Sequence, residues 1–198
     1  MKLIFKKGFD GDMEKLPARE VEGAVAFKEP ETIQKFAVIA NTLAAIILIV
    51  AVVPVIILSR AIELVFSGSD FVLFNLMIAA VLSLVVMPVH EVLHASCFKG
   101  EVEFYTYLKK GLMFVVGTES MSKARFVFMS MLPNLVFGFI PYILFFFFPS
   151  QLWLGLFGAF CLGSGAGDYI NVFNAITQMP KGAKCFMSKN RSYWYKEK

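Results

Sequence analysis

Residues 71–97 read FVLFNLMIAAVLSLVVMPVHEVLHASC. From Phe71 to Val89 the stretch carries no charge, and it then delivers His90, Glu91 and His94 in close succession. A hydrocarbon core takes about 20 helical residues to cross, so this run is long enough to span a bilayer as one helix. Ionisable groups are costly there, by about 2.5–3.5 kcal/mol for a charged side chain at mid-bilayer on insertion scales. The only two histidines of the chain both stand in this stretch. Together these features predict a membrane helix that carries a site.

Three further runs, 36–58, 126–148 and 152–176, have the same length and character, the last interrupted by Asp168. With 58% hydrophobic and 17% charged residues and a mean hydropathy of +0.68, the chain lies outside the range of ordinary soluble domains. The expected fold class is therefore an all-α membrane protein of four transmembrane helices, with the lipid bilayer as its partner. The 19 lysines and arginines fall as seven before the first run, one (Arg60) between the first and second, and five between the second and third. None lies between the third and fourth, and six follow the fourth. Four crossings put all but Arg60 on one side, and the positive-inside rule makes that side the cytoplasm. The expected location is the cell membrane, multi-pass, with both termini cytoplasmic. The expected division is a cytoplasmic segment over 1–35, a four-helix membrane domain over 36–178 and a cytoplasmic tail over 179–198.

The outer connections, 59–70 and 149–151, are short. The inner one is different: 101–108 alternates loosely, Lys109-Lys110-Gly111 reads as a turn, and 112–118 is rich in β-formers. This predicts a short cytoplasmic β-hairpin between helices two and three. Residues 1–35 show no clear pattern, and Pro17 and Pro30 argue against one continuous helix. They contain no compact apolar core with a small-residue cleavage site, so the first membrane segment is expected to stay in the mature chain. Cys97, Cys161 and Cys185 are odd in number and lack framework spacing, which predicts no structural disulfide. No basic stripe is present, and nucleic acid is not expected as a partner.

His90-Glu91-Val92-Leu93-His94 is an HExxH pattern on a helix. Side chains four apart share a face with β-carbons about 5–6 Å apart, so two imidazoles can converge on one zinc ion. Glu91 is rotated about 100° from His90, too far round to be a third ligand but placed to act as general base on an attacking water. A catalytic zinc takes three protein ligands. Asp168 is the best-placed third ligand, because helices two and four run in the same direction, with His90 about 19 and Asp168 about 16 residues into their runs. The surrounding Gly163-Ser164-Gly165-Ala166-Gly167 lets its helix approach the metal helix closely. The competing reading makes Asp168 part of a polar seam with Asn171 or Asn174. Asn134, after Pro133, is a candidate to bind a substrate carbonyl or an oxyanion, or else a helix-packing hydrogen bond. Cys97 sits a turn beyond the histidine pair and reads as a buried thiol. Glu101, Glu103 and Glu119 read as solvated loop charges.

The stretches Pro88-Val89-His90-Glu91-Val92-Leu93-His94-Ala95, Ser122-Lys123-Ala124-Arg125-Phe126 leading to Leu132-Pro133, and Gly167-Asp168-Tyr169-Ile170-Asn171 with Pro180-Lys181-Gly182-Ala183 resemble the putative zincin peptidase family of bacterial membrane proteins. The resemblance covers about residues 87–184. It is more distantly similar to the site-2 protease intramembrane metalloproteases, from which the chain departs in having no Asn-Pro pair just before Asp168. The resemblance implies His90 and His94 as ligands, Glu91 as base and Asp168 as third ligand.

The expected function is zinc-dependent hydrolysis of peptide bonds in membrane-associated or membrane-proximal substrates. Zn²⁺ is the expected cofactor, and a peptide or membrane protein the expected partner. The inner hairpin offers a strand edge on which an extended peptide could pair. A non-catalytic metal-binding membrane protein, a sensor or degenerate peptidase, would need the ligands but has no use for Glu91. An ion or proton carrier would use intramembrane His, Glu and Asp but does not require their HExxH spacing.

Overall fold

A computed structural model describes residues 1–6, 8–30, 32–66, 69–107 and 111–197. Apolar stretches free of glycine make its two longest helices, α1 (Ile33–Phe66) and α2 (Ser69–Ser96), each carrying one internal proline, Pro54 and Pro88. The outer connection read as 59–70 is largely helical, and what joins α1 to α2 lies outside the described residues. The third run begins as α3 (Lys123–Pro133), widens into a π-helical segment (Asn134–Phe139) and resumes as α4 (Ile140–Phe147). Pro133 and Pro141 each lack an N–H, and between them the ladder shifts register, Ile140 N–H bonding to the Leu135 carbonyl.

Gln34–Arg60, Asp70–Ser96 and Lys123–Phe147 are each long and apolar enough to cross a membrane. The fourth run is divided. It forms α5 (Leu152–Ser164) and α6 (Ala166–Gln178), 13 residues each, with Gly165 between them. The glycine run explains the break, since each glycine weakens a helix by about 1 kcal/mol relative to alanine.

The expectation of an all-α chain with a single hairpin is corrected by two β-sheets. One is three-stranded, in the order β1-β3-β4, and the other four-stranded, in the order β2-β7-β6-β5. In the first, β1 (Lys2–Lys6) lies parallel to β3 (Glu101–Tyr107), which pairs antiparallel with β4 (Leu112–Val116). The β3–β4 pair is the predicted hairpin; Lys109 and Lys110 of its predicted turn lie outside the described residues, and Gly111 has φ +62°, a left-handed value that glycine adopts without penalty. In the second sheet, β2 (Val25–Ala26) pairs with β7 (Arg191–Tyr195), β7 with β6 (Lys184–Ser188), and β6 with β5 (Met121–Ser122). Residues 1–35, which show no clear pattern as sequence, and the tail after 179 thus both contribute strands. Strands of two to five residues are too short to show an alternation, and apart from the adjacent β6–β7 pair their partners lie far away in the chain.

The described chain falls into two compact units. The first comprises Met1–Glu31, Pro88–Leu132 and Ile170–Lys198 and holds both sheets. Its main core gathers Phe27, Ala95, Phe98, Val102, Phe126 and Met129 around Cys185. A smaller cluster sets the Phe9 ring edge-on against Tyr105, Tyr107 and Phe114. The second unit comprises Thr32–Met87 and Pro133–Tyr169, with Val55, Ala79 and Phe145 fully buried at its centre. Its helices approach closely: a β-carbon on Gly158 would stand 2.6 Å from the backbone nitrogen of Tyr142, so only glycine lets α5 lie against α4 at that level.

Candidate metal centre

In the first unit, α2 ends with His90, Glu91 and His94, whose ligand atoms all lie within 4.8 Å of one another. The two imidazoles meet edge to face, with Nε2 atoms 3.1 Å apart. His94 is 7% exposed, and its Nδ1 lies 2.9 Å from the carbonyl oxygen of Met129 on α3. A carbonyl only accepts, so Nδ1 carries the proton, and in the neutral ring Nε2 presents a lone pair on the side facing His90. Two nitrogens each about 2.0–2.1 Å from a shared tetrahedral ion stand about 3.3 Å apart. The observed separation fits that geometry, as does the backbone acceptor behind a ligating imidazole, which sets tautomer and ring direction. The residues present therefore fit a zinc ion.

The end of α2 is tied down by groups whose sequence gave no such signal. Arg125 donates from Nε and Nη2 to the Cys97 carbonyl at 3.0 and 2.5 Å, and from Nη1 to Glu119 at 2.6 Å. The other Glu119 oxygen accepts from the backbone N–H groups of Lys99 and Gly100 at 2.6 and 3.1 Å. Arg125 thus satisfies a carbonyl left over at the helix terminus, and Glu119 orders the turn that follows. The solvated reading of Glu119 is corrected: its side chain is 22% exposed and bound on both oxygens. Glu101 does pair at the surface, with Lys2, whereas the solvated reading of Glu103 is corrected too: its side chain is 21% exposed, pairs with Lys6 and accepts from the Tyr105 hydroxyl. Cys97 is a half-buried free thiol whose Sγ donates to the Leu93 carbonyl at 3.7 Å.

Burial acts to raise the Glu119 carboxyl, but the Lys99 and Gly100 amides and Arg125 together hold it below its ordinary value. A lowered folded value contributes stability that is present above the unfolded value and lost as pH falls through the folded one. Glu119→Gln is expected to destabilise the protein by about 1–3 kcal/mol at pH 7. The gap from wild type should close as pH drops below about 4.3, where an ordinary Glu protonates. Chemical denaturation of both proteins at the two pH values measures it; a gap that stays constant would contradict this role of the charge.

In the second unit, Asp168 occupies the first turn of α6, just past the break, and its N–H bonds to the Gly165 carbonyl at 2.9 Å. Its Oδ2 accepts from Asn134 Nδ2 at 2.8 Å, and the Tyr169 hydroxyl donates to Asn134 Oδ1 at 3.1 Å. Asn134 is 1% exposed and opens the π-helical segment. Of the two asparagines weighed as seam partners, Asn174 accepts from Gln178 at 2.9 Å. The structure therefore brings His90, Glu91 and His94 together in one unit, and Asn134 and Asp168 together in the other. Reading the sequence missed the Met129 carbonyl, because every residue has one. It also missed Tyr169, whose place beside Asp168 was a legible but unused signal.

No curated protein and no solved structure matches the chain. Residues 83–184, more than half of the chain and including His90, Glu91, His94, Asn134 and Asp168, match the family described as "Putative zincin peptidase", and the chain belongs to that family.

Proposed function

We propose that the chain is a membrane-embedded zinc metallopeptidase that hydrolyses peptide bonds of membrane-associated or membrane-proximal substrates. The observation that carries this reading is the His90–His94 pair, Nε2 atoms 3.1 Å apart, with the Glu91 carboxylate in the same cluster. His90, His94 and Asp168 would hold the zinc, which when bound supplies a Lewis acid that polarises the scissile carbonyl and acidifies the attacking water. Glu91 takes the proton from that water and delivers it to the leaving amine. The Met129 carbonyl keeps His94 in one tautomer throughout. In favour of Asp168 is a carboxylate already held at one oxygen by the buried Asn134 amide.

The bilayer is the solvent that suits the second unit. On α1, Ile49, Val50 and Ile57 are 64%, 66% and 66% exposed. Each large apolar side chain left in water forgoes about 1.5–3 kcal/mol, and lipid removes that penalty along the whole helix. In this reading α5 and α6 together make the fourth crossing, and the lysine and arginine distribution puts both termini in the cytoplasm. The free edge of β4 then pairs with an extended stretch of substrate near the cytoplasmic face.

The test is a comparison of membrane-protein fragments in cells expressing the wild-type chain or Glu91→Ala at equal levels. Terminal-peptide mass spectrometry should find cleavages specific to the wild type, clustered in or beside transmembrane segments. Identical fragment sets, or wild-type cleavages confined to soluble proteins, would sink the proposal.

A further inference from the structure

The Asp168 carboxylate terminates a directed chain of hydrogen bonds. The Tyr169 hydroxyl donates to Asn134 Oδ1 at 3.1 Å, and Asn134 Nδ2 donates to Asp168 Oδ2 at 2.8 Å. An ionised carboxylate only accepts, so it demands the NH₂ end of the amide, and a phenol donating to the other end opposes a flip. The order phenol to amide to carboxylate therefore has one sense. A second observation concerns the space the amide fills. A β-carbon on Gly165 would lie 1.7 Å from Asn134 Oδ1 and 2.5 Å from its Cγ, so the amide rests directly on a backbone that only glycine provides. The π-helical segment that Asn134 opens is the third feature, since such widened turns place side chains that a regular helix would point elsewhere. Asn134 is 1% exposed, so no solvent competes for its donors.

We propose that Asn134 is a positioning residue for Asp168: it holds Oδ2 and fixes the rotation of the carboxylate, with Tyr169 locking the amide and Gly165 making room for it. This rests on the reading of Asp168 as third zinc ligand and deepens it. A carboxylate free to turn about its last bond must be ordered when it ligates, whereas one held beforehand by a buried amide is already oriented. Partners of this kind alter metal affinity by about 10–100-fold when removed. The assignment also accounts for a buried asparagine and a glycine that contribute no atom to the metal itself.

The experiment measures zinc affinity by chelator competition on the full chain in detergent, for wild type, Asn134→Leu, Tyr169→Phe, Asp168→Ala and His94→Ala. The absorption spectrum of the Co²⁺-substituted protein is recorded alongside. Asn134→Leu is expected to raise the zinc Kd by about 10–100-fold and to change the cobalt ligand-field bands. Tyr169→Phe, which keeps the ring and loses only the hydroxyl, should shift both in the same direction by less, and it serves if Asn134→Leu does not fold. Wild-type Kd and an unchanged cobalt spectrum in Tyr169→Phe and in folded Asn134→Leu, with zinc lost in Asp168→Ala, would overturn the positioning role and leave Asp168 as ligand. Hydrolysis impaired at unchanged zinc affinity would overturn it too, assigning Asn134 to the substrate. Zinc retained in Asp168→Ala but lost in His94→Ala would overturn the ligand reading on which the proposal stands.

Discussion

Glu91→Ala is expected to lower peptide hydrolysis by about 10²–10⁴-fold, the usual contribution of a positioned general base, while leaving zinc content at about one ion per chain. Under the proposed mechanism the two effects separate because Glu91 follows His90 on the helix and is rotated away from the face that His90 and His94 share, where it would serve the water and not the ion. Its carboxylate is nonetheless near both imidazoles, within the 4.8 Å span of the cluster. Turnover of a cleaved substrate and metal content of the same preparation measure the pair of effects. Retained turnover would remove Glu91 from the reaction. Lost zinc would make it a ligand and leave the base unassigned. Unaltered zinc with lost turnover is the outcome that separates an enzyme from a metal-binding sensor.

His94→Ala is expected to abolish stoichiometric zinc, and Asp168→Ala to do the same. A catalytic site has three protein ligands, and two are too few to retain the ion through purification. Each substitution also removes a partner from a buried group: His94→Ala leaves the Met129 carbonyl without a donor at 2.9 Å, and Asp168→Ala leaves the Asn134 Nδ2 without an acceptor at 2.8 Å. A buried group that loses its hydrogen-bond partner costs about 1–3 kcal/mol, so both variants should melt at a lower temperature than wild type. Metal analysis with thermal unfolding in the same detergent reads both quantities. Equal zinc in wild type and both variants would refute the metal centre as drawn.

Much of the candidate site could be read before any coordinates. His90, Glu91 and His94 lie within one helical turn, and contacts that close in sequence are fixed by the helix itself. The fold was legible only in part. Long apolar runs announced α1 and α2, because a helix long and apolar enough to cross a membrane is set by composition over tens of residues. The fourth run was read as one helix although its own glycines, at 163, 165 and 167, carried the reason for the break at Gly165. Beyond the β3–β4 hairpin the two sheets were not legible, since β1 finds its register on β3 about a hundred residues later and no local pattern encodes that pairing.

The sequence by itself determined the apolar helices and the HExxH cluster, because both follow from neighbours a few residues apart on one helix. Only the tertiary structure decided what orients those side chains: the Met129 carbonyl behind His94, the Arg125–Glu119 clamp at the end of α2, and the Tyr169–Asn134 chain that holds Asp168. Those partners come from other elements or from the backbone. Which donor meets which acceptor is set by how helices and turns pack, a property of the folded chain that no single stretch of residues contains.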